Sequence, residues 1–314
     1  MTSIKGLITG IAIGDALGVP VEFMHRSFLN TKPVVGMRAF GTHHQPAGTW
    51  SDDTSLSFCL VEQLIQGYDL DQLANRIINW YEIGYWTATG QVFDIGVSTR
   101  KAIDHLQNGV SPKHSGEKGE YANGNGSLMR ILPLCVYLKD KTINERWEII
   151  GEISAITHQS IRTHIACFFL VEMGLCLEKG YDKCDAFVFT QNTVRDFVNT
   201  LDCTAKEQEI FLRLFYDDLS QFPSQEIFSS GYVIHTLEAS IWAFLTTNSF
   251  EDAVLKAVNL GDDTDTTGSI TAGLAGLFYG FDSIPQHWVE TLAKKDAILD
   301  LANRFELAIN PQNT

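Results

Sequence analysis

Apolar residues recur at three- and four-residue spacing along most of this chain, the signature of helices with one buried face. The pattern is clear in LDQLANRIINWYEIG (70–84), INERWEIIGEISAITH (143–158) and IRTHIACFFLVEMGLCLEKG (161–180). It continues in AKEQEIFLRLFYDDL (205–219), GYVIHTLEASIWAFLTT (231–247) and SFEDAVLKAVNLG (249–261). Ser249 reads as an N-cap with Glu251 and Asp252 in the first turn behind it, and Gly180 and Gly261 read as helix stops. Alternating apolar and polar runs between hairpin turns are almost absent, so the expected fold class is all-α.

Two longer stretches, 25–50 and 108–127, have loop composition. Both fall between helical patterns, so a single domain over 1–314 is expected, and loops this long in a compact domain often carry function. Two helical segments are rich in small residues on one stripe: Gly6, Gly10, Gly14 and Gly18 near the start, and Ala272, Gly276 and Gly280 near the end. A glycine inside a helix costs about 0.5–1 kcal/mol relative to alanine. The stripes are therefore expected to serve close helix–helix packing.

Composition narrows the classes. Of 314 residues, 45% are hydrophobic and 19% charged, ordinary for a globular protein. The 38 acidic and 23 basic residues leave a net charge of −15. That excess argues against nucleic acid or an anionic membrane as the main partner. Six cysteines occur singly, with no CxxC pair, and read as mostly buried reduced thiols; a zinc site is not expected. The N-terminal apolar stretch is interrupted by Asp15 and lacks a cleavage motif, so a cytoplasmic protein without a membrane span is expected.

The chemistry concentrates in two places. In TWSDDTSLSFCL, Ser51, Asp52, Asp53 and Thr54 stand directly before an apolar helical run; in LGDDTDTTGSITAGLAGLFYG, Asp262, Asp263 and Asp265 are interleaved with Thr264, Thr266 and Thr267. A single acid at a helix start is explained by capping and the helix dipole. Additional carboxylates repel one another, and two such clusters are better explained if both converge on divalent cations. Carboxylates and hydroxyls without an accompanying His/Cys set are hard donors, suited to Mg²⁺ or Mn²⁺. Two ions ~3.5–4 Å apart are a common hydrolytic arrangement.

These segments, taken with GIAIGDALGVPVEF, VFDIGVSTRKAI, NGNGSLMRILPL and THQS in this order, resemble the ADP-ribosylglycohydrolase family almost end to end. The resemblance implies a compact all-α hydrolase with two divalent cations, Mg²⁺ or Mn²⁺. The ligands would be Ser51, Asp52, Asp53, Asp263, Asp265 and Thr266, with Asp262 left outside the set. It also implies that Glu22 gates the site or orients water near the metals, an exposed loop acid being the alternative, and that Asp94 is catalytic, although Asp94 also reads as the N-cap of the helix that follows. Gly124, Asn125, Gly126 and Ser127 would hold the substrate, with helix-start N–H groups facing a diphosphate, and His158 would touch ribose or phosphate. Arg130 reads as a buried partner for a carboxylate.

The expected partner is an ADP-ribosylated protein acted on by a monomeric enzyme, and Asp94 inclines the expected linkage toward ADP-ribosyl-arginine. The competing readings are ADP-ribosyl-serine or O-acetyl-ADP-ribose as substrate, an immunity protein against an ADP-ribosylating toxin, or a non-catalytic binder or crystallin-like protein. Loss of metal ligands would mark the non-catalytic reading, and here the set is complete.

Overall fold

The computed structural model describes residues 3–201 and 203–311. Among these the chain is helical throughout, with isolated β-bridges only, so the all-α expectation holds. Eleven helices have nine or more residues. They are α1 (Ile4–Gly18), α2 (Asp52–Gln66), α3 (Leu70–Ile83), α4 (Val97–Gln107), α5 (Ile143–Ala155) and α6 (Ile161–Glu178). The remainder are α7 (Lys183–Val198), α8 (Val233–Leu245), α9 (Phe250–Val258), α10 (Thr264–Tyr279) and α11 (Lys295–Ile309).

Local sequence accounts for most boundaries. Ser249 caps α9 by accepting from the Asp252 N–H at 3.0 Å. Gly180 and Gly261 follow helix ends at φ +86° and +81°, the left-handed region that glycine enters without strain. The 205–219 pattern departs from one continuous helix. It breaks into Ala205–Ile210 and Leu212–Tyr216 at Phe211, whose N–H turns to the Gln208 carbonyl and whose buried ring stacks on Phe215. Four cysteines are buried, as expected, whereas Cys184 is exposed and Cys203 half-buried.

Helices α1 and α10 lie antiparallel at the centre, backbone against backbone. A Cβ at Gly6, Gly10 or Gly14 would stand 2.1, 2.3 or 2.1 Å from the carbonyl oxygens of Gly276, Ala272 and Gly268. At Gly18 it would stand 2.3 Å from the backbone of Asp265. The second stripe is thus Gly268, Ala272 and Gly276; Gly280 ends α10 at φ +86° instead of joining the contact. The span Ile4–Val21 is long and apolar enough to cross a membrane, yet 94% of it is buried inside the fold, which gives its hydrophobicity a structural purpose.

This contact sets up the site. Running antiparallel, α1 delivers its C-terminal end to the N-terminal start of α10, where Thr264 Oγ1 donates to the Gly18 carbonyl at 2.9 Å. Overpacking a filled interface costs about 1–3 kcal/mol, and more where a backbone must move. Gly14→Ala should therefore lower stability by ~3 kcal/mol, seen as a falling denaturant midpoint. An unchanged midpoint would show that the helices can separate freely.

Candidate metal centre and cavity

The first acidic cluster is folded around a carboxylate buried in α1. Asp15 accepts the Ser51 N–H at 2.9 Å, the Thr54 N–H at 3.0 Å and the Thr54 hydroxyl at 2.6 Å. Burial raises its pKa to about 6, against the pull of those bonds. Ser51 is the N-cap of α2, its hydroxyl accepting the Asp53 N–H at 3.3 Å, and Asp52 and Asp53 open the first turn.

The second cluster arrives on α10. Asp263 is its N-cap residue without making a side-chain cap, and Asp265 and Thr266 lie in its first turn. Thr266 donates its hydroxyl to Asp53 Oδ2 at 3.3 Å, joining positions 213 residues apart. Asn125 donates to Asp263 Oδ2 at 2.7 Å, which ties the glycine-rich loop to the same cluster. Carboxylate oxygens of Glu22, Asp263 and Asp265 lie within 4.8 Å of one another.

Burial raises the pKa of Asp52, Asp53 and Asp265 well above the usual carboxylate range, and mutual repulsion adds to it. Glu22 is pushed up to about 10, first by burial and then by the charges of Asp94 and Asp263. Three oxygens, Asp53 Oδ1, Asp263 Oδ1 and Asp265 Oδ2, are buried without a hydrogen-bond partner. Among the described residues, no lysine or arginine forms an ion pair with these aspartates. Clustered buried carboxylates with open lone pairs are unfavourable alone and suit a hard divalent cation, so the residues present fit such a group.

Over the cluster opens a cavity of about 360 Å³, within the range of small-molecule sites. Glu22, Phe23, Asp52, Asp53, Asp94, Asp263 and Thr266 line its acidic end. Tyr121, Gly124, Asn125, Gly126, His158 and Gly231 line the remainder. The loop carrying Asn125 is held by a bond from its N–H to the Gly231 carbonyl at 3.1 Å.

Several expected residues sit differently from the sequence reading. Asp94 does not cap α4: the N-cap is Gly96, and Asp94 lies two residues upstream at φ +56°, lining the cavity with its carboxylate grouped with Glu22 and His43. The helix after NGNG, Leu128–Ile131, is a single turn and offers little dipole for a diphosphate. Ser127 is fully buried behind the loop, where its hydroxyl receives the Ser154 hydroxyl at 3.0 Å, and it does not line the cavity. Gly126 is required by His158, whose Cε1 would stand 2.8 Å from an added Cβ. His158 itself is held neutral by burial, with its pKa lowered to about 3, and its Nδ1 faces Thr157 Oγ1 at 2.8 Å. Arg130 bonds to the carbonyls of Gly126 (2.6 Å) and Ile153 (3.0 Å), not to a carboxylate, and so braces the loop against α5.

Two residues emerge that the sequence reading did not assign to the site. Asp15 was visible as an acid inside an otherwise apolar helix, a position that needs dedicated donors. His43 had no local signal beyond its place in a long loop. Its Nε2 hydrogen-bonds Glu22 and lies 3.9 Å from Asp94 Oδ1, and its ring sits between Phe23 and Phe93.

Comparison with known proteins agrees with this architecture. A protein-family model described as ADP-ribosylglycohydrolase matches residues 2–314. An ADP-ribosylarginine hydrolase Tri1 from Pseudomonas putida (strain GB-1) is 33% identical over 307 residues, covering 96% of this chain and 77% of that protein. The ADP-ribosyl-[dinitrogen reductase] glycohydrolase of Rhodospirillum rubrum is 28% identical over 321 residues, covering 95% of each chain. A solved structure titled ADP-ribosylglycohydrolase-related protein complex superposes with a TM-score of 0.81 at 28% identity, covering 99% of this chain and 98% of that one.

The raised carboxylate pKa values give a signed prediction. Between the unfolded and folded pKa the native state binds more protons, so stability without divalent metal should fall as pH rises above ~4. Asp265→Asn removes one of the repelling charges. It should raise the melting temperature of chelator-treated protein and abolish the rise expected when Mn²⁺ is added to the wild type, as followed by calorimetry. A variant that lost stability in chelator yet kept the full Mn²⁺ response would contradict this account of the cluster.

Proposed function

The chain belongs to the ADP-ribosylglycohydrolase family of metal-dependent glycohydrolases, and on that premise we propose that it removes ADP-ribose from modified arginine side chains. The observation that carries this reading is the juxtaposition of a cation-fitting oxygen cluster with two further carboxylates, Glu22 and Asp94, at one end of a single cavity. The names of the relatives from Pseudomonas putida and Rhodospirillum rubrum support an ADP-ribosylated protein as the substrate class.

Ser51, Asp52, Asp53, Asp263, Asp265 and Thr266 would hold two divalent cations, Mg²⁺ or Mn²⁺. When bound, these supply positive charge that grips ribose hydroxyls and acidifies water. The chain's own groups do the remainder. Water attacks the anomeric carbon as its bond to the guanidinium nitrogen breaks through an oxocarbenium-like state. Asp94 takes the water proton or faces the departing guanidine; that proton ends on the guanidine, which leaves as guanidinium. Buried acids around the cationic sugar stabilise the charge that develops on it. Gly124, Asn125, Gly126 and His158 line the part of the cavity left for the nucleotide portion.

Arginine- and serine-ADP-ribosylated peptides, with and without added metal, should separate the linkages. ADP-ribose release from the arginine peptide, dependent on metal, is expected; release from the serine peptide alone would overturn the assignment. Asp94→Asn should reduce kcat on the arginine peptide at least about 100-fold, the scale of a lost general base, while leaving the calorimetric Mn²⁺ titration unchanged. Full turnover in that variant would remove Asp94 from the chemistry. Asp263→Ala should abolish turnover together with metal binding.

A further inference from the structure

Phe23 combines three features that packing does not explain. The residue is 68% exposed although it directly follows buried Glu22. Its backbone is held at φ +61°, a conformation that bulky side chains rarely adopt. It is also pinned there: the Phe23 N–H donates to the Asp262 carbonyl at 2.7 Å, and the Asp262 N–H returns to the Met24 carbonyl at 2.9 Å. The fold thus maintains a strained backbone to keep an apolar ring in the open. The ring lines the cavity beside Glu22 and Asp94, and its centroid lies 6.1 Å from that of His43, which contacts both acids.

Building on the arginine reading, we propose that Phe23 is a specificity-determining residue whose ring receives the guanidinium of the modified arginine at the acidic end of the cavity. A guanidinium is planar, permanently charged and weakly hydrated, so it stacks on aromatic faces more readily than other cations of its size. The neighbouring carboxylates favour a cation at this end, and the ring favours a flat one. A serine-linked leaving group is neutral and gains nothing from the ring. Phe23 thus selects the linkage without moving a proton.

The test compares wild type, Phe23→Ala, Phe23→Leu and Phe23→Trp, each confirmed folded by its melting curve. Readouts are kcat and KM on an arginine-ADP-ribosylated peptide, the affinity for free ADP-ribose, and the inhibition constant of agmatine, a small guanidinium. Removal of an aromatic partner worth ~1 kcal/mol corresponds to about five-fold. Phe23→Ala and Phe23→Leu should raise KM and weaken agmatine inhibition by about five-fold or more. Phe23→Trp should keep both near wild type, and all variants should bind ADP-ribose as wild type does.

Equal KM in wild type and Phe23→Ala would overturn the proposal while leaving the arginine activity standing. A parallel loss of ADP-ribose affinity would assign the ring to the nucleotide and overturn it as well. Phe23→Leu matching Phe23→Trp would reduce the ring to a hydrophobic wall. A wild-type enzyme that cleaves only the serine peptide would overturn both the proposal and the arginine reading.

Discussion

The close approach of α1 and α10 is the constraint on which the site depends. The carboxylates of Asp15, Asp52, Asp53, Asp263 and Asp265 are brought together because two helix backbones touch along Gly6, Gly10, Gly14 and Gly18. With side chains of ordinary size on that stripe, interaxial distances of about 8–10 Å are usual. Glycine removes that spacer, so the start of α10 meets the end of α1 and Asp15 can reach across to organise the first turn of α2. The entropic cost of glycine within a helix thus offsets against a geometry that larger residues exclude.

What this geometry assembles is electrostatically unfavourable by itself. Desolvation and mutual repulsion raise the pKa values of Asp52, Asp53 and Asp265, and the Asp15 bonds and the Asn125 amide relieve only part of the strain. The charge that makes such a cluster costly by itself is the same charge that suits a divalent cation, so binding one would add to stability. Arg130 is instructive by contrast. It is a fully buried cation near the loop, yet its bonds go to main-chain carbonyls, so it holds the cavity wall in place and leaves the cluster's charge uncompensated.

The chain made its helices legible where one apolar face alternates with a polar one, as in α3, α5 and α9. Two helices, α7 and α11, were not singled out, and the split at Phe211 had no signal because both halves share the same periodicity. At the site, carboxylates crowded beside helix starts could be read directly, since capping explains one acid and not three. Orientation could not. Ser127 belongs to the glycine-rich motif, but a one-turn helix rotates its hydroxyl into the core toward Ser154. Asp94 could have been a cap, but the helix takes Gly96 as its N-cap and leaves Asp94 two residues upstream at φ +56°. His43 joins Glu22 and Asp94 through loop packing that no local pattern encodes.

Strain is distributed in a way that follows from this division of labour. Of the seven described non-glycine residues with positive φ, Lys294 precedes α11 and the other six are Phe23, Phe40, His44, Trp86, Asp94 and Asp262. They occupy three connections that supply the acidic end of the cavity: the segment from Glu22 to His44, the approach to α4, and the turn before α10. A residue held in this region costs of order 1–3 kcal/mol, and it persists where surrounding structure over-determines it. Here the over-determination is visible, because Trp50 donates to the Trp86 carbonyl and the Phe23 and Asp262 segments clasp each other. The helical floor that carries the oxygen cluster is built from helix starts, while the loops that bring Glu22, Phe23 and Asp94 to the cavity are forced into unusual backbone shapes. Binding cations needs only converging oxygens; discriminating between leaving groups needs side chains aimed from directions that no regular element provides.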